Sequence, residues 1–225
     1  ARFVEKAAWK FDEALQLIGK KGVVTGNPVR NDFFGIEPKE RTDVFHVLIF
    51  GGSQGARAIN NAVADSLGEI AELEGKISFT HQTGEADFEK IREIYSRSAF
   101  SDSDIRPFIT DMVSEFAKAD VVICRAGATT CAELAAAGKA AIMIPLPTAA
   151  DDHQRKNAEA MQNAGAAKMI LQRDLNGKKI AEEIRALAAN PDEIEPMHAA
   201  AKGLGRADAA ERTADIIQKI SNLKF

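Results

Sequence analysis

The stretch Val121-Val122-Ile123-Cys124-Arg125-Ala126-Gly127-Ala128-Thr129-Thr130-Cys131-Ala132-Glu133 reads as one unit. It opens as a short apolar run, turns at Gly127 and continues as an alanine-rich helix to about Ala137, the pattern of a strand, a tight turn and a helix. The first turn of such a helix leaves backbone N–H groups without intrahelical partners, and the aligned peptide dipoles make that end positive. A phosphate is stabilised there. Thr129 and Thr130 add hydroxyls at the same end, and Arg125 places a cation just before it. Glu133 lies about one turn further on, within reach of a vicinal diol beside a bound phosphate. Phosphate donors and a diol acceptor in one turn describe a nucleotide site. Helix capping alone also accounts for a glycine turn and an early glutamate, so the reading depends on whether the pattern recurs.

It recurs twice. Residues 44–50 (VFHVLIF) are almost unbroken apolar, as expected of a strand covered on both faces of a parallel sheet, and Gly51-Gly52-Ser53-Gln54-Gly55-Ala56 follows at once. Beyond it Ile59, Val63, Leu67 and Ile70 mark one face of a helix. The glycines are expected to let the backbone approach an anion, with Ser53 supplying a hydroxyl. The spacing is neither G-x-G-x-x-G nor the P-loop with its Lys-Ser/Thr. The third instance is residues 140–144, a buried strand stopped by Pro145-Leu146-Pro147 and followed by Asp151-Asp152-His153-Gln154-Arg155-Lys156-Asn157 at a helix start. Amides and carboxylates there suit sugar hydroxyls, which need both donors and acceptors. Asp152 and His153 are sequence neighbours that diverge on a helix, so no metal is expected.

Between these units the chain keeps alternating. Residues 76–82 form a strand ending at Thr83-Gly84, and 85–98 a helix with Phe88, Ile91 and Tyr95 inward. A loop at 101–104 precedes residues 105–109, and Asp111 caps a helix to Lys118. Residues 167–171 are expected as the last strand, and 178–189 as a helix broken at Asn190-Pro191. A short helix then runs to about Lys202. A terminal helix over 207–223 puts Ala210, Ala214, Ile217 and Ile220 on one face, which needs a partner surface. At the other end Val4, Ala7, Ala8, Phe11, Leu15 and Ile18 recur at helical spacing, while 7–11 reads equally well as a short strand. Residues 22–30 end a strand in a Gly-Asn-Pro bend, because Pro28 keeps Asn27 out of the helical region. Residues 31–42 read as loop, with a domain boundary between Thr25 and Thr42.

Alternating strands and helices specify a doubly wound parallel α/β sheet. Ligands bind such sheets outside the carboxyl ends of the strands, where the loops after Phe50, Ile109, Cys124 and Ile144 all open. The 225 residues, 45% hydrophobic and 28% charged, fit one large α/β domain, or a domain plus part of another. A formal charge of −4 argues against a nucleic-acid partner. Two cysteines seven apart give no zinc site or disulfide framework, and a reducing compartment follows. No apolar run approaches the roughly 20 residues of a spanning helix. The chain begins at Ala1 rather than Met, and a piece of a longer protein is expected.

Gly26-Asn27-Pro28-Val29-Arg30, the Gly51–Ala56 turn, Cys124-Arg125-Ala126-Gly127 with Glu133, and Asp152-His153-Gln154 with Asn157 together resemble the C-terminal half of the MurG family. These are bacterial transferases that add N-acetylglucosamine from UDP-GlcNAc to lipid I, making lipid II for peptidoglycan. The resemblance spans almost the whole chain, in order. It implies a GT-B fold, two Rossmann-like domains facing a cleft, and an inverting hexosyltransferase without cofactor or metal. Residues 26–205 would be the UDP-GlcNAc-binding domain and 1–25 the tail of an absent N-terminal domain. Residues 206–225 would be a helix packing back on that domain. The absent half would bring the general base, the lipid I site and peripheral contact with the inner face of the cytoplasmic membrane, so the chain alone is expected to bind donor and turn over little. Carried over residue by residue, Arg30 and Ser53 would touch the diphosphate and the Ile109 backbone the uracil. Ala128 and Thr129 would receive phosphate and nearby sugar groups, Glu133 the ribose hydroxyls, and Gln154 the GlcNAc hydroxyls. His153 stands where some relatives have Gln. Gln54, Arg125, Gly127 and Thr130 complete the expected substrate-binding set.

Two other assignments share the motifs in part: the donor subunit of a split UDP-GlcNAc transferase, and a non-catalytic nucleotide-sugar-binding module. A dinucleotide oxidoreductase lacks its fingerprint here.

Overall fold

The computed structural model describes residues 7–9, 22–40 and 42–222. Val4, Phe11, Leu15, Ile18 and the end of the terminal helix lie outside the described residues. Six strands form one all-parallel sheet: β3 (Phe45–Phe50), β4 (Ile77–Gln82), β5 (Asp104–Arg106), β6 (Val121–Cys124), β7 (Ala141–Met143) and β8 (Ala167–Met169). Their spatial order is β5-β4-β3-β6-β7-β8. The chain therefore winds outward from β3 in one direction and from β6 in the other. A separate parallel pair joins β1 (Ala7–Trp9) to β2 (Gly22–Val24), so the strand alternative holds at Ala7–Trp9.

The unbroken apolar runs follow from burial on both faces. Val47 and Ile49 point into one core with Ile59, Val63, Phe79, Ile91, Ile123 and Ile184, while Leu48 and Phe50 point into the other with Phe33, Phe116, Val122, Leu134 and Met143. That is the period of two expected of a strand, repeated in β6 as Val121/Ile123 against Val122/Cys124. Register fixes the carboxyl rim, since Phe50 pairs with both Gln82 and Cys124, Gln82 with Arg106 and Cys124 with Met143.

The helices are α1 (Arg57–Ser66), α2 (Phe88–Ser96), α3 (Met112–Lys118), α4 (Ala128–Ala137), α5 (His153–Asn163), α6 (Gly177–Ala189), α7 (Pro191–Gly203) and α8 (Ala209–Asn222). Asp111 caps α3 by accepting from the Ser114 N–H at 3.1 Å. Four expectations are corrected. Residues 31–33 are a 3-10 turn that buries Phe33, not plain loop. Leu67 and Ile70 are buried but lie past the end of α1. Phe88 is half-buried beneath the Arg92 guanidinium rather than in the core. The helix after Pro191 is 13 residues long, not short. On α8 the side packed inward carries Ala209, while Ala210, Ala214 and Ile217 are exposed. No helix among the described residues is long and apolar enough to cross a membrane.

Candidate functional site at the carboxyl rim

Strand order reverses between β3 and β6, and the crevice outside their carboxyl ends is where an open parallel sheet offers a ligand site. Both strands run straight into the glycine turns singled out above. Neither following helix is closed by a side-chain cap: α1 starts after Ala56 and α4 after Gly127. Two sets of first-turn N–H groups therefore face the same crevice with partial positive charge. Ala128 and Thr129 are exposed at the start of α4, and Gly127 and Thr130 are half-buried.

In the Gly51–Ala56 turn most glycines are also required by packing. A Cβ at Gly55 would stand 1.9 Å from the Thr83 carbonyl oxygen, and one at Gly51 would stand 2.2 Å from the Ala56 Cβ. Gly84 meets the Gln54 carbonyl in the same way, at 2.4 Å. Gly55 and Gly84 let two loop backbones touch each other, and Gly51 lets its own turn close on Ala56. Gly52 alone (φ 99°) has open space where a side chain would be, and it is followed by exposed Ser53 and Gln54. Gly55→Ala is expected to cost at least about 1 kcal/mol from its left-handed φ of 73° alone. The displaced turn should weaken any anion held there as well; thermal denaturation and UDP titration of the variant check both.

Glu133 stands just over one turn into α4 and is half-buried. Burial raises its carboxyl pKa above the usual value, and the positive field of Arg30 pulls against that rise. Arg30 also acts on Asp111, and its guanidinium lies 5.3 Å above the Phe33 ring. The 22–40 segment thus delivers a cation to the rim beside Glu133. Arg125 is held in place. Its guanidinium donates to the Ile144 and Pro145 carbonyls at 3.1 and 3.4 Å and to Gln172 Oε1 at 2.7 Å, so it braces the β7 loop rather than standing free.

The third cluster hangs on a tight bend in which Asp151 and Asp152 take left-handed φ values of 50° and 55°. Non-glycine residues hold that conformation at a cost that the surroundings must offset. Gln154 Oε1 accepts from the Leu146 N–H at 3.0 Å, His153 Nδ1 bonds the Ala150 carbonyl at 2.7 Å, and Asn157 donates to the Ala126 carbonyl at 2.9 Å. Asn157 thereby ties α5 to the turn before α4. Among the described residues no group of three His, Cys, Asp or Glu side chains is placed to hold a metal.

Two residues passed over in the sequence organise the rim from below. Buried Gln82 bridges the Gly52 carbonyl and the Ile109 N–H, at 2.9 and 2.8 Å. The Ile109 N–H is therefore engaged within the protein. Asn60, also buried, donates to the Thr83 carbonyl at 2.8 Å and to Asp87 at 2.9 Å, fixing the strand end against which Gly55 packs. The only forward signal for either was a polar side chain at a position the periodicity buries. A cavity of about 660 Å³ lies at the opposite rim, lined by Lys39, Phe45, Ile77, Asp120, Lys139 and His198. It contains neither glycine turn and neither uncapped helix start, so the anion-binding argument belongs to the carboxyl rim.

Residues 46–213 match the model of the glycosyltransferase family 28 C-terminal domain. A UDP-N-acetylglucosamine--N-acetylmuramyl-(pentapeptide) pyrophosphoryl-undecaprenol N-acetylglucosamine transferase of Syntrophus aciditrophicus is 46% identical over 95% of this chain and 60% of its own length. The transferase of the same name from Solibacter usitatus is 40% identical over 98% of this chain and 60% of its own length. The chain thus spans about 60% of the length of these curated relatives. Among solved structures, Acinetobacter baumannii MurG superposes with a TM-score of 0.83 at 31% identity, covering 97% of this chain and 62% of that one.

Proposed function

This chain belongs to glycosyltransferase family 28, and from that premise we propose that its carboxyl-rim crevice binds UDP-N-acetylglucosamine as the donor of a hexosyl transfer. The acceptor in the whole protein is the one for which its relatives are named, N-acetylmuramyl-(pentapeptide) pyrophosphoryl-undecaprenol. One observation carries the reading: the sheet reverses between two strands that each end in an uncapped helix start, with Glu133 set in the field of Arg30 at that point.

The roles follow from chemistry. When the sugar leaves, negative charge grows on the β-phosphate of UDP. Arg30, the backbone of the Ser53 turn and the N–H groups at Ala128 and Thr129 are fixed donors for that charge, and fixed donors stabilise it without reorganising. Glu133 accepts from the two ribose hydroxyls. Gln154 and His153 face the sugar from the strained bend, held by their bonds to Leu146 and Ala150. Arg125 holds the start of the loop that carries them, through the Ile144 and Pro145 carbonyls. Residues 26–205 are the donor domain. The exposed apolar side of α8 packs against the remainder of the whole enzyme, which meets its polyprenyl-linked acceptor at a membrane surface.

Calorimetry with UDP, UDP-GlcNAc and NADH side by side tests the assignment. UDP and UDP-GlcNAc are expected to bind and NADH not. Binding of NADH in preference to UDP would replace the transferase reading with a dinucleotide one.

A further inference from the structure

Gln82 ends β4, is 2% exposed, and uses both ends of its amide. Its Nε2 donates to the Gly52 carbonyl, and its Oε1 accepts from the Ile109 N–H. The Gly52 carbonyl also accepts from the Gly55 N–H at 2.9 Å, so two donors fix that peptide group. In a planar trans peptide the C=O of one residue and the N–H of the next point in opposite directions. Holding the Gly52 carbonyl toward Gln82 therefore turns the Ser53 N–H away from it, as a donor on an exposed loop. Holding the Ile109 N–H toward Gln82 turns the Phe108 carbonyl away, as an acceptor on a residue that is 54% exposed.

We propose that Gln82 is the positioning residue of the crevice. It presents a peptide donor to the pyrophosphate and a peptide acceptor to the base, and so selects uracil over cytosine. The inference rests on the donor-site reading above and adds its base specificity. Uracil carries a hydrogen on N3 and meets the carbonyl; cytosine carries a lone pair there and opposes it, which is how a fixed polar group rejects a near-isostere. A primary amide suits the role because it offers a donor and an acceptor on one rigid plane. Without Gln82 the Ile109 N–H loses its partner, the Gly52 carbonyl keeps only the Gly55 N–H, and the two loops lose their only described side-chain link.

The test is calorimetry of UDP, CDP and uridine against the 225-residue chain and its Gln82→Met variant, which keeps length and volume and removes both bonds. The unaltered chain should prefer UDP over CDP by roughly 10-fold or more, and Gln82→Met should lose roughly 10-fold for UDP. Its UDP-to-CDP ratio should fall toward one, and the affinity gained by adding the diphosphate to uridine should shrink. A loss that lowers UDP and CDP equally, leaving the ratio intact, would assign Gln82 to packing alone and overturn the proposal; so would unchanged binding. Should Gln82→Met not fold, Gln82→Asn, polar but too short to reach both loops, is read by the same ratio. If the unaltered chain binds no UDP, the donor-site reading fails and this proposal with it.

Discussion

Replacing Glu133 with alanine is expected to weaken UDP binding by about 10- to 150-fold, the loss of charge-assisted hydrogen bonds worth about 1.5–3 kcal/mol. The physical basis is the conflict recorded at this carboxylate: burial opposes its ionisation and Arg30 only partly offsets that. A vicinal diol donating to both oxygens resolves the conflict. It follows that ligand and proton compete. Uridine, which carries no phosphate to titrate, should bind with constant affinity from the raised pKa of Glu133 up to the alkaline range where its N3 proton is lost. Its affinity should then fall about tenfold per unit as pH drops below that value, because only the ionised carboxylate accepts both hydroxyls. Glu133→Gln separates the terms further. With no charge to desolvate, the ligand-free variant should melt no lower than the parent at pH 7, while its uridine affinity falls and loses its acid dependence. A variant that binds uridine as the parent does would remove Glu133 from the ribose.

Much of this architecture was legible because its determinants are local. Runs such as Val121–Cys124 and Phe45–Phe50 signal burial on two faces, and the turns at Gly51 and Gly127 signal strand ends, whatever the distant chain does. The gaps come from interactions that no window of sequence contains. Arg125 reads as a cation beside a helix start, but what holds it, Gln172, lies 47 residues on. The glycines of residues 51–55 read as room for an anion until the Thr83 carbonyl fills the space beside Gly55. For Gln82 the pattern shows only a polar side chain at a buried position, because its meaning lies in two loops that are separate in sequence and adjacent only once β3, β4 and β5 pair. On α8 the apolar positions Ala210, Ala214 and Ile217 were legible as a face, but a face does not name its partner. Fold and crevice thus follow from patterning, while the wiring beneath the crevice requires coordinates.

That wiring makes stability acid-sensitive at a predictable residue. His81 is fully buried, and burial lowers its pKa from 6.5 to about 3. The hydrogen bonds say which nitrogen carries the proton. Asn60 uses its amide hydrogens on Thr83 and Asp87, so its Oδ1 is the acceptor and His81 Nε2, 3.1 Å away, must donate. His81 Nδ1 then accepts from the Tyr95 hydroxyl at 3.4 Å. Protonating Nδ1 would force that hydroxyl to reverse and would leave a fully buried charge. The sign follows from linkage: the unfolded chain binds this proton near pH 6.5 and the folded chain does not, so the contribution is full above 6.5 and drains away as pH falls toward 3. A shift of that size is worth up to about 4–5 kcal/mol, of which about 2–3 should be gone by pH 4.5. His46 and His198 are also lowered by burial and add to the slope in the same direction. Denaturant unfolding between pH 7.5 and 4.5 measures the slope, and the imidazole resonances of His81 should stay unshifted across that range. A His81 that titrates near 6.5 in the folded protein would refute this account.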